Sequence, residues 1–263
     1  MIFAPAILSL SLLPFCVAQA SSVAIEAIEA NFANAGIVPS LLATFSPSST
    51  LSVNFAGVGD VAAGTPLTQA QVKPMPDLSV TPADSTVTFS GNYTLAMVDA
   101  GPVGFDESQG QTRHMLINSV TIEGSNVSTA AGLAITAYAG PAPPSGSGPH
   151  RYVILLYSQP SSFTPPANLS TAGVAVSTYD FPAYVKSTGL GPLVAANYFT
   201  VEAGTASASI SPTSAVITST LSPVASASSA GAPQTTAKAN SARDIQASIL
   251  MILLPGALAL TLV

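Results

Sequence analysis

Residues Tyr138 to Pro160 read YAGPAPPSGSGPHRYVILLYSQP. The first half is a proline- and glycine-rich approach, stiff wherever a proline ring locks φ. The second half, His150 to Tyr157, is an unbroken run of β-branched, aromatic and leucine residues, the signature of a buried strand. Side chains alternate along a strand, so His150 and Tyr152 share one face and Arg151 points to the other. The same grammar recurs along the chain. Tyr93 to Val98 is apolar, ends in Asp99 and breaks at Gly101-Pro102, while His114 to Ile122 opens beside Arg113. Leu51 to Phe55, Thr86 to Phe89 and Asn197 to Val201 are further short strand patterns bounded by Gly, Pro, Asn and Asp. The expected core is mainly β, with a few peripheral helices. One helix is predicted over Val23 to Ala35, with Ile25, Ile28 and Phe32 at helical spacing, Ser22 at its N-cap and Gly36 as its stop. A second, short one is expected over Pro182 to Ser187, closed by Gly189.

Both ends of the chain read differently from its centre. Residues 1–20 are apolar and run into small residues around Ala18 and Ala20, the pattern of a secretory signal peptide. Cys16, the single cysteine of the 263 residues, lies inside that segment, so the expected mature chain has no disulfide. Residues 205–242 are mostly Ser, Thr and Ala with three prolines, and they cannot bury enough surface to offset their ordering entropy. They read as a disordered, O-glycosylated stalk. Residues 243–263 end in an apolar tail preceded by the small residues Asn240-Ser241-Ala242, the pattern of a removable glycosylphosphatidylinositol (GPI) signal with Asn240 as the attachment residue. The expected location is therefore the cell surface or wall, with the membrane reached through a lipid anchor. Between these ends, residues 21–204 form one domain of ordinary size.

Charge narrows the classes of function. The chain carries six basic and 12 acidic residues, a net charge of −6, and only 7% of it is charged. A nucleic-acid partner needs a basic stripe that six cations cannot build. Within residues 21–204 the net charge is −7. Three N-x-[ST] sequons, at Asn92, Asn126 and Asn168, are candidate glycan sites in an exported domain.

The two histidines of the chain, His114 and His150, each open an apolar strand directly beside an arginine, and Asp99 ends a third. Three chemistries use such residues. Imidazoles donate hydrogen bonds to phosphate or carboxylate oxygens, with a carboxylate fixing one ring. Ser147, His150 and Asp99 would suit a hydrolase, yet there is no G-x-S-x-G elbow and nothing local turns Ser147 toward the ring. His114, His150 and Asp99 match the ligand types of a mononuclear metal site, with no spacing that fixes their geometry.

The blocks YTLAMVDAGPV (Tyr93 to Val103), TRHMLIN (Thr112 to Asn118), the opening stretch and GLGPLVAANYF (Gly189 to Phe199) resemble, in order and spacing, the phosphatidylethanolamine-binding protein (PEBP) family, most closely its secreted fungal members. The resemblance implies a PEBP-like antiparallel β-sandwich with a small anion pocket at one end. It places Asp99, His114, Ala142, Pro143, Pro144, His150 and Tyr152 around that pocket. It also implies a non-enzymatic protein that needs no cofactor and binds a small anion or phospholipid headgroup; the alternative is a protein-interaction module whose partner is a protease. Two departures stand out. Ala100 replaces the proline of the family's Asp-Pro-Asp-x-Pro motif, and Gly101 replaces its second acid.

Overall fold

The computed structural model describes residues 22–207 and 216–221. The signal-peptide reading, most of the stalk, Asn240 and the apolar tail lie outside the described residues.

The described part begins with helix α1 (Ser22–Asn34) and a short turn of helix α2 (Ile37–Ser40), separated by Gly36 at φ +64°. Eleven strands and one more helix follow: β1 (Ser49–Phe55), β2 (Gly59–Asp60), β3 (Thr65–Leu67), β4 (Asp77–Pro82), β5 (Asn92–Asp99), β6 (Gln111–Glu123), β7 (Asn126–Ser128), β8 (Leu133–Thr136), β9 (His150–Gln159), β10 (Ser177–Tyr179), α3 (Phe181–Thr188) and β11 (Leu193–Val201). The strand order is β2-β1-β4-β7-β6-β5-β9-β11-β3, with β8 and β10 also paired to β6. The sheet folds over on itself along β6. Its first residues pair with β5, β8 and β10, and its last pair with β7. Ser119, at φ +59°, lies just before Val120, the last residue of β6 to pair with β5. All pairings are antiparallel except that of β3 with β11, so the mainly β architecture is mixed at that edge.

The apolar patterns explain how the layers stack. Leu95, Met97, Tyr152, Ile154 and Leu156 join Leu51, Val53, Phe55 and Val80 in one buried core, contributed by both halves of the folded sheet. Their sequence neighbours Ala96, Val98, Val153 and Leu155 join Phe32, Ile37, Phe181 and Tyr184 in a second core beneath the helices. β5 and β9 are therefore buried on both faces, which is why they read as continuous apolar runs. Helix α3 starts at Asp180, whose side chain accepts from the Ala183 N–H at 2.9 Å, and stops at Gly189 with φ +71°.

One expected strand is absent. Thr86 to Phe89 is a turn and an irregular segment, because Asp84 Oδ1 accepts from both the N–H and the hydroxyl of Thr86 and curls the chain. Phe89 still packs against the first core, which accounts for its apolar signal without a strand.

Candidate functional site

β5 and β9 run antiparallel with Asp99 opposite Tyr152, which brings the tip of one strand beside the start of the other. The Asp99 carboxylate accepts from His150 Nδ1 at 3.0 Å (Oδ1) and 2.9 Å (Oδ2), and each side chain is only 11% exposed. Oδ1 also accepts from the Gly101 N–H at 2.7 Å, closing a tight turn. Gly101 has φ +65°, and a Cβ there would lie 2.7 Å from the Phe105 ring. The turn after Asp99 thus requires glycine at the position where the family motif carries its second acid.

Arg151 fastens that turn from the opposite face of β9. Its guanidinium donates to the carbonyls of Gly101 (2.9 Å), Ala35 (2.8 Å), Ala100 (2.5 Å) and Pro102 (3.2 Å), and it meets Glu107 at 3.2 Å. Burial pulls the Arg151 pKa below its ordinary value, and the neighbouring Glu107 carboxylate works against that shift.

His114 arrives by a different device. Met97 pairs with Met115, but the next residue, Val98, pairs with Arg113, so His114 is the extra residue of a β-bulge. Arg113 consequently lies on the helix side, where it is held by Thr136, Ala175 and Ser177 and stacks over the Tyr179 ring at 5.0 Å. His114 instead meets Tyr152 edge-on, with ring centroids 5.2 Å apart. Its Nδ1–H donates to the Ala139 carbonyl at 3.0 Å, and Nε2 has no partner among the described residues.

Tyr152 is the hub. It stacks on His150 at 6.4 Å and on Phe199 at 5.8 Å. Its side chain is fully buried, and its hydroxyl lies against the Asp99 carboxylate and the Ala142 N–H without reaching hydrogen-bonding geometry to either. Burial first, then the Asp99 charge, pushes its pKa well above the ordinary tyrosine value. Of the proline wall, Pro143 is buried, whereas Ala142 and Pro144 are exposed.

Ser147, which no local pattern turns toward the ring, does face it. Its Oγ lies 2.8 Å from His150 Nε2 and 2.6 Å from the Pro144 carbonyl oxygen. Both nitrogens of His150 are therefore engaged inside the protein. A recess of about 550 Å³ lies at the same end of the fold, between Pro66 to Ala70, Pro149 and Thr200 to Gly204, but neither histidine lines it. Among the described residues no three His, Cys, Asp or Glu side chains gather as metal ligands.

The family model described as phosphatidylethanolamine-binding protein matches residues 43–199, more than half of the chain. The chain belongs to the phosphatidylethanolamine-binding protein family. Two relatives show how far the kinship extends. A "26 kDa secreted antigen" of Toxocara canis is 34% identical over 179 residues, covering 65% of this chain and 63% of the antigen, so less than two thirds of that relative is matched. The "Carboxypeptidase Y inhibitor" of Saccharomyces cerevisiae is 30% identical over 190 residues, 60% of this chain and 86% of the inhibitor. Among solved PEBP-family structures, that of carboxypeptidase Y inhibitor complexed with the cognate proteinase superposes with a TM-score of 0.57 at 27% identity, over 68% of this chain and 96% of that one.

Proposed function

We propose that this PEBP-family domain is an exported, non-enzymatic module of the cell surface that binds a small oxyanion, a free phosphate or a phospholipid headgroup, among Asp99, His114, Ala142, Pro143, Pro144, His150 and Tyr152. The observation that carries this reading is the Tyr152 hydroxyl, a buried donor with no hydrogen bond, on a ring that meets the His114 imidazole edge-on. An unpaired buried hydroxyl costs about 1–3 kcal/mol, which a ligand oxygen would recover. With Nδ1–H committed to Ala139, Nε2 of His114 donates only when the ring is protonated. The domain's net charge of −7 opposes an anion at long range, but a Debye length of about 8 Å at physiological salt confines that penalty. Affinity in the millimolar range or somewhat tighter is expected. Export, a stalk over residues 205–242 and a GPI anchor at Asn240 belong to the same reading, supported by the sequence patterns at the two ends and by a relative named as secreted.

NMR titration of the protein with sulfate, phosphate and phosphoethanolamine, and co-sedimentation with phosphatidylethanolamine vesicles, tests it. Sulfate keeps its charge across the range in which imidazoles titrate, so its affinity isolates the protein's own proton. That affinity should fall as pH rises and should be lost in His114→Ala. Affinity independent of both would remove the histidines from the account. Binding to vesicles but not to free phosphoethanolamine would assign the site to a bilayer source.

A second reading has its own observation, the likeness to carboxypeptidase Y inhibitor in both sequence and fold. The domain would then inhibit a protease through exposed loops. Inhibition of carboxypeptidase Y that survives His114→Ala and His150→Ala would favour it.

A further inference from the structure

A hydroxyl has one hydrogen, and Ser147 Oγ has two close neighbours. The Pro144 carbonyl at 2.6 Å only accepts, so the Ser147 hydrogen goes to it. When the His150 ring is protonated, the 2.8 Å contact is then a bond in which the Nε2–H donates to Ser147 Oγ. Nδ1–H already donates to Asp99, so even the protonated ring has no N–H left for a ligand.

The turn carrying Ser147 is fastened from outside the strand it precedes. Gly146 donates through its N–H to the Ala203 carbonyl at 2.8 Å, and its own carbonyl accepts from the N–H and Oγ of Ser207 at 2.9 and 3.0 Å. Gly204, at φ +71°, packs so closely on Ser145 that a Cβ would come within 2.5 Å of its Oγ. Ala203 to Ser207 follows β11 by one residue and leads in sequence into the Ser/Thr/Ala-rich segment.

We propose that Ser147 is a built-in occupant of the anion site: its hydroxyl takes the His150 Nε2–H that an oxyanion would otherwise receive, and Ala203 to Ser207 hold it in place. The inference rests on the anion-binding reading and adds its control. An incoming oxyanion must outcompete a neutral acceptor, which it does by setting a full negative charge against the imidazolium where Ser147 offers only a hydroxyl dipole. Neutral hydroxyl or carbonyl groups gain nothing by the exchange, so the occupant also filters ligands by charge.

The test is phosphate titration of the full chain by NMR, with the His150 ring nitrogens observed directly, in the wild type, Ser147→Ala, Ser147→Thr and Ser207→Ala. Removing one competing hydrogen bond of about 1 kcal/mol should tighten phosphate binding about fivefold in Ser147→Ala. The His150 Nε2 resonance should shift in the same variant without ligand. Ser147→Thr, which keeps the hydroxyl, should match the wild type, and Ser207→Ala should tighten binding about twofold by loosening the turn from a distance. Wild-type binding with no gain, or a loss, in Ser147→Ala overturns the occupant while leaving the anion site standing. Failure of phosphate to bind any of the four proteins overturns the anion site and the occupant together.

Discussion

Arg151 and Glu107 meet at 3.2 Å with only 2% and 8% of their side chains exposed, and together they anchor the turn that aims Asp99. The carboxylate is also held by the Ser40 hydroxyl at 2.7 Å and by Gln111 Nε2 at 3.0 Å. Removing one partner of a buried pair leaves a desolvated charge, which is more damaging than never having had the pair. Glu107→Ala should therefore lose about 3 kcal/mol in chemical denaturation. Arg151→Lys, which keeps the charge but not the fork that reaches four carbonyls, should cost about 2 kcal/mol. A loss below half a kilocalorie in both would show that backbone packing alone holds the turn.

Tyr152→Phe separates stability from binding. The hydroxyl makes no hydrogen bond, so its removal should leave thermal stability unchanged or raise it by up to about 1 kcal/mol. Phosphate affinity should fall in the same variant. Reduced stability with unchanged affinity would place the hydroxyl in the fold's own hydrogen bonding.

Gly101→Ala should cost about 1–2 kcal/mol, because the residue has φ +65° and the new methyl would overlap the Phe105 ring. Its effect should extend to the site, since the Gly101 N–H that orients Asp99 moves with the turn. The readouts are the midpoint of denaturation and the His150 ring shifts; a stable variant with unmoved shifts would refute both expectations.

All seven tyrosines have pKa values raised by burial, Tyr184 to about 12. A raised pKa means the folded state holds the proton more tightly than the unfolded chain. Their contribution is fully present below the unfolded tyrosine value near ~10 and is lost as pH rises from there through the folded values. The melting temperature should stay level up to about pH 9 and drop steeply above about pH 10. Tyrosinate absorbance, unobscured because the chain has no tryptophan, should appear together with the loss of circular dichroism. Gradual ionisation of an intact fold would contradict the burial described above.

What a sequence shows of this fold depends on whether the information is local. Tyr93 to Val98, His150 to Tyr157 and the helix of Phe181 to Thr188 are legible because burial on two faces, Pro182 near the first turn and the closing Gly189 leave their mark in adjacent residues. Short strands such as β2, β3 and β10 carry no such mark, being defined by the partner they meet. Thr86 to Phe89 mimics a strand because Phe89 is half-buried, while the Asp84 side chain decides the local path. At the site, strict alternation from Met115 would send His114 to the helix side. The bulge opposite Met97 and Val98 reverses that, and it is visible only in the pairing. Ser147 is equally hidden, since its orientation depends on Ala203 and Ser207, more than fifty residues downstream.

The pairing of β5 with β9 has a bearing on what can approach this molecule. Asn92 pairs with Gln159 at one end of that ladder and Asp99 with Tyr152 at the other, roughly 23 Å away along an extended strand. Asn126, exposed like Asn92, pairs with Glu123 at the distal end of β6, whose other end carries His114. Sugars on these two asparagines would crown the pole opposite the histidines, screening that cap from encounter and leaving the imidazole pole bare to whatever surface or macromolecule docks there.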